Sequence, residues 1–265
     1  MTDEPGHAAA ELLDRLAALS EPGPGVTRLP FTDQHRDAAA LIEKRMRQAG
    51  LDTRRDAAGT VIGRRPGARA DVPVFMLGSH QDSVRSGGAY DGIMGVVLPI
   101  LAVEALGDAP LPFAIEVLAF ADEEGVRFPT ALLGPRALAG TLDRTVLDMT
   151  DRDGIRLRDA LAAFGGDPDA LPALARDPSG VAGYLETHIE QGPVLEAEDL
   201  PVGIVTAIAG IERHEVRVTG RAAHAGTTPM AMRQDALCAA AEIALAVERI
   251  CAGTPGAVGT VGQLD

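Results

Sequence analysis

Three apolar stretches of the chain are each followed by residues that can bind metal ions. These residues are His80, Asp82 and Asp91 after "VPVFML", Asp122, Glu123 and Glu124 after "AIEVLAF", and His188, Glu190 and Gln191 late in "VAGYLETHIEQ". Imidazole and carboxylate groups together suit Zn²⁺ or Mn²⁺, and a shared carboxylate can bridge two ions. Adjacent glutamates also allow one carboxylate to bind an ion while its neighbour moves a proton.

Each of these residues has an ordinary structural alternative when it is considered alone. His80 fits a loop histidine, Asp91 before Gly92 fits a turn, the paired glutamates fit a solvated strand end, and His188 fits a core histidine. However, ligands bind at the carboxyl ends of strands in open α/β sheets. Three strand ends that all carry His or carboxylate residues therefore favour a metal site.

The surrounding sequence predicts an α/β fold. The predicted helices are 7–19, 33–49, 92–106 and a short one at 134–140, and the predicted strands are a hairpin over 51–64, then 72–79, 112–121, 181–191 and 201–210. Apolar strands that alternate with helices indicate a mixed, largely parallel sheet with helices on both faces. Residues 1–210 are thus expected to form a metal-binding catalytic domain.

Beyond Gly210 the pattern changes to strand, helix and strand, at 213–220, 231–253 and 257–264. We interpret 211–265 as part of a smaller α+β (ferredoxin-like) lid and dimerisation domain. A helix on two strands leaves a half-covered sheet, so we expect the sequence to be part of a longer protein.

The composition excludes several classes of function. A formal net charge of −14 disfavours binding to nucleic acid and to anionic membranes. No apolar stretch approaches the ~18 residues of a membrane helix. Cys238 and Cys251 form no metal-binding or redox motif, and the single lysine, Lys44, is in no P-loop. A cytoplasmic location is the default expectation.

Four segments resemble the zinc-dependent amidohydrolases that include N-carbamoyl-L-amino-acid hydrolases, allantoate amidohydrolases and β-ureidopropionases, within the aminoacylase and carboxypeptidase superfamily of di-metal hydrolases. The segments are "GSHQDSVRSGGAYDGIMGV" (78–96), "AFADEEGVRFP" (119–129), "ETHIEQGPVLE" (186–196) and "GRAAHAGTTPMAMRQDAL" (220–237). They occur in the family's order and span most of the chain. Any one of them alone would be weak evidence, whereas the four together are specific.

The resemblance implies a role for each matching residue. It implies that the metal ligands are His80, Asp91, Glu124 and His188, and that Asp82 orients the imidazole of His80. It implies that Glu123 is the catalytic base. It also implies that Gln191 contacts the substrate and that His224 polarises the scissile carbonyl. It implies two Zn²⁺ or Mn²⁺ ions, with Asp91 as the bridging ligand and a cis peptide bond directly after it. It also implies that a final histidine beyond Asp265 completes the second ion's site, so that this site is expected to be incomplete here.

The implied reaction is metal-dependent hydrolysis of a linear C–N bond in a small carboxylated ureido substrate, of the allantoate or N-carbamoyl-amino-acid type. Glu123 would take a proton from the attacking water and give it to the departing nitrogen. The resemblance further implies a homodimer for the full-length protein. Two alternatives stay open, namely a di-metal aminoacylase or peptidase and a non-catalytic module that retains the fold.

Overall fold

The computed structural model describes residues 4–265, and the chain divides into two units, Met1–Pro201 and Val202–Asp265. The division lies close to the boundary at Gly210 that the sequence predicts. The roles of the two units as catalytic domain and lid stay predictions.

The first unit is built on one mixed sheet of five strands. They are β1 (Asp52–Arg55), β2 (Val61–Arg65), β3 (Val74–His80), β4 (Ala114–Phe120) and β5 (Val181–Leu185), in the order β1-β2-β4-β3-β5. β3, β4 and β5 are parallel, whereas β2 pairs antiparallel with both β1 and β4. The predicted α/β class is confirmed, and the predicted hairpin over 51–64 is β1 and β2.

Six α-helices accompany this sheet within residues 4–201. They are α1 (Glu4–Ala17), α2 (Asp33–Gln48), α3 (Met94–Ala105), α4 (Leu133–Leu138), α5 (Leu157–Phe164) and α6 (Val194–Ala197). α2 begins at Thr32, whose hydroxyl accepts a hydrogen bond from the His35 amide and caps the helix. α3 continues through Pro99. Short 3₁₀ turns lie at Arg144–Asp148, Leu171–Leu174 and Pro178–Gly180.

The core lies around β4, which is buried at every position. Its one carboxylate, Glu116, is 2% exposed and accepts from Arg64 and Arg176, each at 2.7 Å. Residues of α1, α2, α3 and α5 cover one side in a large apolar cluster. A smaller cluster on the other side includes Leu138 of α4. β4 and its parallel neighbour β3 are therefore held in place, and so are the residues that directly follow these two strands.

The second unit contains α7 (Ala236–Ala252), which confirms the predicted helix over 231–253. Asp235 caps α7 by accepting from the amides of Leu237 and Cys238. The strands predicted at 201–210, 213–220 and 257–264 were wrong, because these segments are irregular in the structure. A strand requires hydrogen bonds to a neighbouring strand. Within 202–265 the only bridge of this kind joins Arg221 to Gln234.

The strand predicted at 181–191 is shorter than expected, because β5 ends at Leu185. The residues after it leave the sheet, and they include His188. In the described part of the chain, no helix has both the length and the apolar character that crossing a membrane requires.

Candidate metal centre and active site

Three of the predicted ligands meet at one edge of the sheet. His80 ends β3, Asp91 lies in the loop before α3, and His188 follows β5. One ligand atom from each lies within 4.8 Å of the others. Nε2 of His188 is 3.2 Å from Oδ1 of Asp91.

Both imidazoles are oriented in the same way. Nδ1 of His80 donates to the carbonyl of Asp82, and Nδ1 of His188 donates to the carbonyl of Ile189, each at 2.9 Å. A neutral imidazole carries only one N–H, so in the neutral form each ring has its proton on Nδ1 and leaves Nε2 as an acceptor. Backbone carbonyls commonly hold metal-binding histidines in this tautomer.

Asp91 has one paired and one unpaired oxygen. Oδ2 accepts from Nε2 of Gln191 at 2.9 Å. Oδ1 is buried without a hydrogen-bond partner among the described residues. Instead it faces Nε2 of His188 at 3.2 Å. With Nδ1 of His188 donating to a carbonyl, a neutral ring presents a lone pair to this oxygen, and a cation between the two atoms would satisfy both. The donor set of two imidazoles and one carboxylate fits Zn²⁺ or Mn²⁺.

Gly92 leaves room for this arrangement. Its φ is +64°, and a Cβ built there would lie 2.3 Å from Nε2 of His80. Any side chain at position 92 would therefore collide with the atom of His80 that is free to bind an ion. The expected cis peptide after Asp91 was wrong, since residues 4–265 contain none. The chain instead turns here through the left-handed φ of Gly92.

The paired glutamates lie beside His80. Ligand atoms of His80, Glu123 and Glu124 form a second group within 4.8 Å, and Oε2 of Glu123 is 4.0 Å from Nε2 of His80. The resemblance implies that Glu124 and the bridging Asp91 serve the same ion, and the charge of Asp91 does act on Glu124. This assignment stays a prediction.

Asp82 lies beneath both groups and is completely buried. Its carboxylate accepts from the Glu123 amide at 3.1 and 3.2 Å and from the Glu124 amide at 3.2 Å. The nearest oxygen of this carboxylate is 3.7 Å from Nδ1 of His80, so the imidazole donates its hydrogen bond to the backbone carbonyl of Asp82 and not to the side chain. The side chain of Asp82 thus ties the glutamate segment to the end of β3.

Burial dominates the electrostatics of this region. It raises the pKa of Asp82 to about 7 and raises the pKa of Asp122 well above its usual range. Burial is also the main cause of the raised pKa of Glu124. Burial lowers the pKa of His80, but the charge and carbonyl of Asp82 and the charges of both glutamates outweigh it, so that this pKa is raised overall. A bound cation would reduce the mutual repulsion of these carboxylates.

A cavity of about 680 Å³ opens in front of these groups. Its polar side contains the predicted ligands His80, Asp91, Glu124 and His188, together with Glu123 and Gln191. Its other side is mainly apolar and includes Met76, Phe120 and Leu138. A cavity of this size accommodates a small organic molecule beside the ligands.

Comparison with known proteins identifies the family. The sequence profile described as "Peptidase family M20/M25/M40" matches residues 72–260, which is most of the chain and includes every predicted site residue. The chain belongs to peptidase family M20/M25/M40. The resemblance inferred from the four sequence segments is thereby confirmed.

The relatives lie within the amidohydrolase branch of this M20 family. The chain is 47% identical over 259 residues to an N-carbamoyl-L-amino acid amidohydrolase of Geobacillus stearothermophilus, covering 96% of this chain and 63% of the relative. It is 41% identical to allantoate deiminase 1 of Glycine max, covering 92% and 52%. A hydantoinase/carbamoylase family amidase from Burkholderia ambifaria has a similar structure, with a TM-score of 0.77, 38% identity and coverage of 96% and 63%. The chain therefore spans about three fifths of the length of the first of these relatives.

In this M20 chain His224 lies in the second unit. Its Nδ1 accepts from the amides of Gly226 and Thr227, at 3.1 and 3.2 Å. In the neutral ring the proton is therefore on Nε2, which is free to donate. The other predicted site residues, at positions 80–191, belong to the first unit, so the role of His224 in the reaction stays a prediction.

Two residues near the centre were not predicted from the sequence. Glu186 accepts from Oγ of Ser79 at 2.5 Å. Arg28 is 2% exposed, and its Nε donates to the carbonyl of Gln81 at 2.6 Å. The sequence carried a signal for Glu186, because residues two apart on an extended segment share a face and Glu186 precedes His188 by two. No comparable pattern surrounds Arg28, which occurs in the unremarkable loop "VTRLP".

Proposed function

We propose that the protein is a metal-dependent amidohydrolase that cleaves a linear C–N bond in a small carboxylated ureido compound. One observation carries the proposal. The Nε2 atoms of two imidazoles, each of which donates from Nδ1 to a backbone carbonyl, converge with a buried, unpaired oxygen of Asp91 beside Glu123 and Glu124, and these residues line a cavity. The names of the relatives, which refer to N-carbamoyl-L-amino acids and to allantoate, support this choice of substrate class.

In the proposed arrangement His80, Asp91 and His188 hold one divalent ion, and Glu124 contributes to a second site. Zn²⁺ and Mn²⁺ are the ions that this mixture of imidazole and carboxylate favours. A divalent ion here supplies Lewis acidity, which polarises a carbonyl oxygen and makes water easier to deprotonate. Gln191, which donates to Asp91, holds that carboxylate in place and is our candidate for contact with the substrate.

Glu123 has the position that a general base requires. Its side chain is 36% exposed and lines the cavity, whereas its amide is anchored to Asp82. The carboxylate can therefore reach a reacting molecule while its backbone is fixed. Glu123 takes a proton from the attacking water and gives it to the nitrogen that departs as the C–N bond breaks. The Nε2–H of His224 is the proposed donor to the carbonyl oxygen as negative charge develops there.

The test uses the protein expressed from its own gene and loaded with Zn²⁺ or Mn²⁺. Ammonia release is measured from several N-carbamoyl-L-amino acids and from allantoate. Replacement of Glu123 with Gln removes the base but keeps the shape of the side chain. We expect Glu123→Gln to lower kcat by a factor of ~10²–10⁴ with metal content unchanged.

The matched control is Glu196→Gln, which removes the same charge from α6 and should leave ammonia release unchanged. Turnover that survives Glu123→Gln would contradict the role assigned to Glu123. Hydrolysis of N-acyl amino acids or dipeptides, with none of either ureido substrate, would show that the protein is an aminoacylase or peptidase of the same family.

A further inference from the structure

The two histidines of the candidate centre lie where the sheet loses part of its hydrogen bonding. β3 and β5 pair in parallel as far as Leu77 and Leu185. Pairing of β3 with β4 continues to His80 and Phe120. Residues 78–80 therefore keep a strand neighbour on one side only. His188 lies three residues beyond the last pair on β5, so no sheet hydrogen bond fixes its distance from His80.

Side chains connect the two segments at this point. Oε1 of Glu186 accepts from the hydroxyl of Ser79 at 2.5 Å. The hydroxyl of Tyr184 lies 2.8 Å from Oε2 of Glu186 and 2.9 Å from the carbonyl of Gly78. Hydrogen bonds to an ionised carboxylate are roughly twice as strong as neutral ones. The Glu186 carboxylate thus joins the segment before His188 to the segment before His80.

The start of α3 packs tightly against the same junction. A Cβ built on Gly95 would lie 2.4 Å from the carbonyl oxygen of Thr187 and 2.7 Å from Cβ of Ser79. Ser79 is 1% exposed, so it has little room to move. The Ser79 end of the connection is consequently fixed, and Glu186 transmits that fixed position to the segment that carries His188.

We propose that Glu186 is a positioning residue for the metal centre. Its bridge to Ser79 and Tyr184 replaces the missing β3–β5 hydrogen bonds and sets the separation of the His80 and His188 rings, whose centroids are 6.0 Å apart. This inference rests on the proposed function, because the separation matters only if both imidazoles bind one ion. Since Ser79, Tyr184 and Glu186 also line the cavity, contact with substrate is the competing role that the test must separate.

The experiment measures the affinity for Zn²⁺ in the absence of substrate, by competition with a chromophoric chelator. The variants are Glu186→Ala, Glu186→Gln, Ser79→Ala and the double variant Ser79→Ala/Glu186→Ala, with Glu196→Gln as the matched control. Loss of an outer-shell partner typically weakens metal binding ~10–100-fold. We expect a loss in this range for Glu186→Ala and a smaller one for Glu186→Gln, whose amide can still accept from Ser79.

Two further results separate a positioning role from a substrate contact. We expect Ser79→Ala to weaken Zn²⁺ binding even though no substrate is present. The effect of Ser79→Ala should be largely absent in the Glu186→Ala background, because the two residues form one bridge. The Co²⁺-loaded chain should also show a changed visible absorption spectrum in Glu186→Ala. A role in substrate binding alone would leave both measurements unchanged.

If both Glu186→Ala and Ser79→Ala bind Zn²⁺ with affinities within twofold of that of the parent chain, the inference is overturned, but the proposed metal centre is not. If Glu186→Ala does not fold, as judged by circular dichroism, Ser79→Ala decides the question alone, since it removes a single hydroxyl. If the parent chain binds no Zn²⁺, or if His188→Ala binds it equally well, the proposed metal centre is itself wrong and the inference is overturned with it.

Discussion

Replacement of Asp91 with Asn should make the metal-free protein more stable and the metal-loaded protein less stable. Oδ2 of Asp91 already accepts from Gln191, whereas the buried Oδ1 has no hydrogen-bond partner and faces Nε2 of His188 at 3.2 Å. In Asp91→Asn the amide oxygen can keep the bond to Gln191. The amide nitrogen then takes the position of Oδ1 and donates to His188. The amide oxygen, the amide nitrogen and Nε2 of His188 then all have a partner without an ion.

The size of the effect follows from the same contacts. A buried acceptor without a partner costs about 1–3 kcal/mol, and a typical new hydrogen bond contributes about 0.5–1.5 kcal/mol. We therefore expect metal-free Asp91→Asn to gain at least about 1 kcal/mol in unfolding free energy. An ion at 100 times its dissociation constant stabilises the parent chain by about 2.7 kcal/mol. Because the variant loses a charged ligand and with it the stabilisation by the ion, the parent should then be the more stable by at most about 1.7 kcal/mol.

Urea denaturation at pH 8, with EDTA and then with Zn²⁺, measures both differences. The matched control is Asp199→Asn, which removes the same charge from an exposed loop and should shift neither curve. If Asp91→Asn were less stable than the parent in EDTA, the unpaired state of Oδ1 would be contradicted, and with it the main reason to place a cation there.

Two further predictions concern Gly92 and His35. Gly92→Ala should weaken Zn²⁺ binding at least ~10-fold, because the added Cβ would displace Nε2 of His80. Equal Zn²⁺ affinities of the variant and the parent, measured by chelator competition, would contradict this. Burial lowers the pKa of His35 to about 3, so below pH 6.5 the unfolded chain takes up a proton that the folded chain does not, and stability falls as the pH drops. Between pH 7.5 and 5 this histidine should account for about 2 kcal/mol of lost stability. Urea denaturation should show a correspondingly smaller loss in His35→Asn, whose side-chain oxygen can still accept from the amide of Phe31; an unchanged loss would refute the attribution.

The sequence predicted which residues meet at this edge of the sheet, because their proximity follows from topology. Parallel strands point their carboxyl ends toward one edge, so residues placed at or soon after the ends of β3, β4 and β5 must approach each other. His80, Glu123 and His188 all occupy such positions. The fold class was predictable for a related reason, since the alternation of apolar strands with helices is a property of the local sequence.

What could not be predicted depends on contacts between distant segments. The strands expected at 213–220 and 257–264 have suitable local patterns, but strand formation requires a partner, and local pattern does not supply one. The hydrogen bond that orients His80 comes from the carbonyl of Asp82, and residue type says nothing about backbone carbonyls. The carboxylate of Asp82 binds amides 41 and 42 residues away in the chain, a contact visible only once β3 and β4 are neighbours.

The most direct test of the metal centre is the metal content of the chain after loading with Zn²⁺ and exhaustive dialysis. Inductively coupled plasma mass spectrometry would compare the parent with His80→Ala, His188→Ala and the control His214→Ala, whose histidine lies in the second unit. With three protein ligands, the parent and His214→Ala should each retain about one ion per chain. His80→Ala and His188→Ala should retain almost none. A parent chain that retains no Zn²⁺, or equal retention in all four proteins, would contradict the convergence of His80, Asp91 and His188 on a divalent ion.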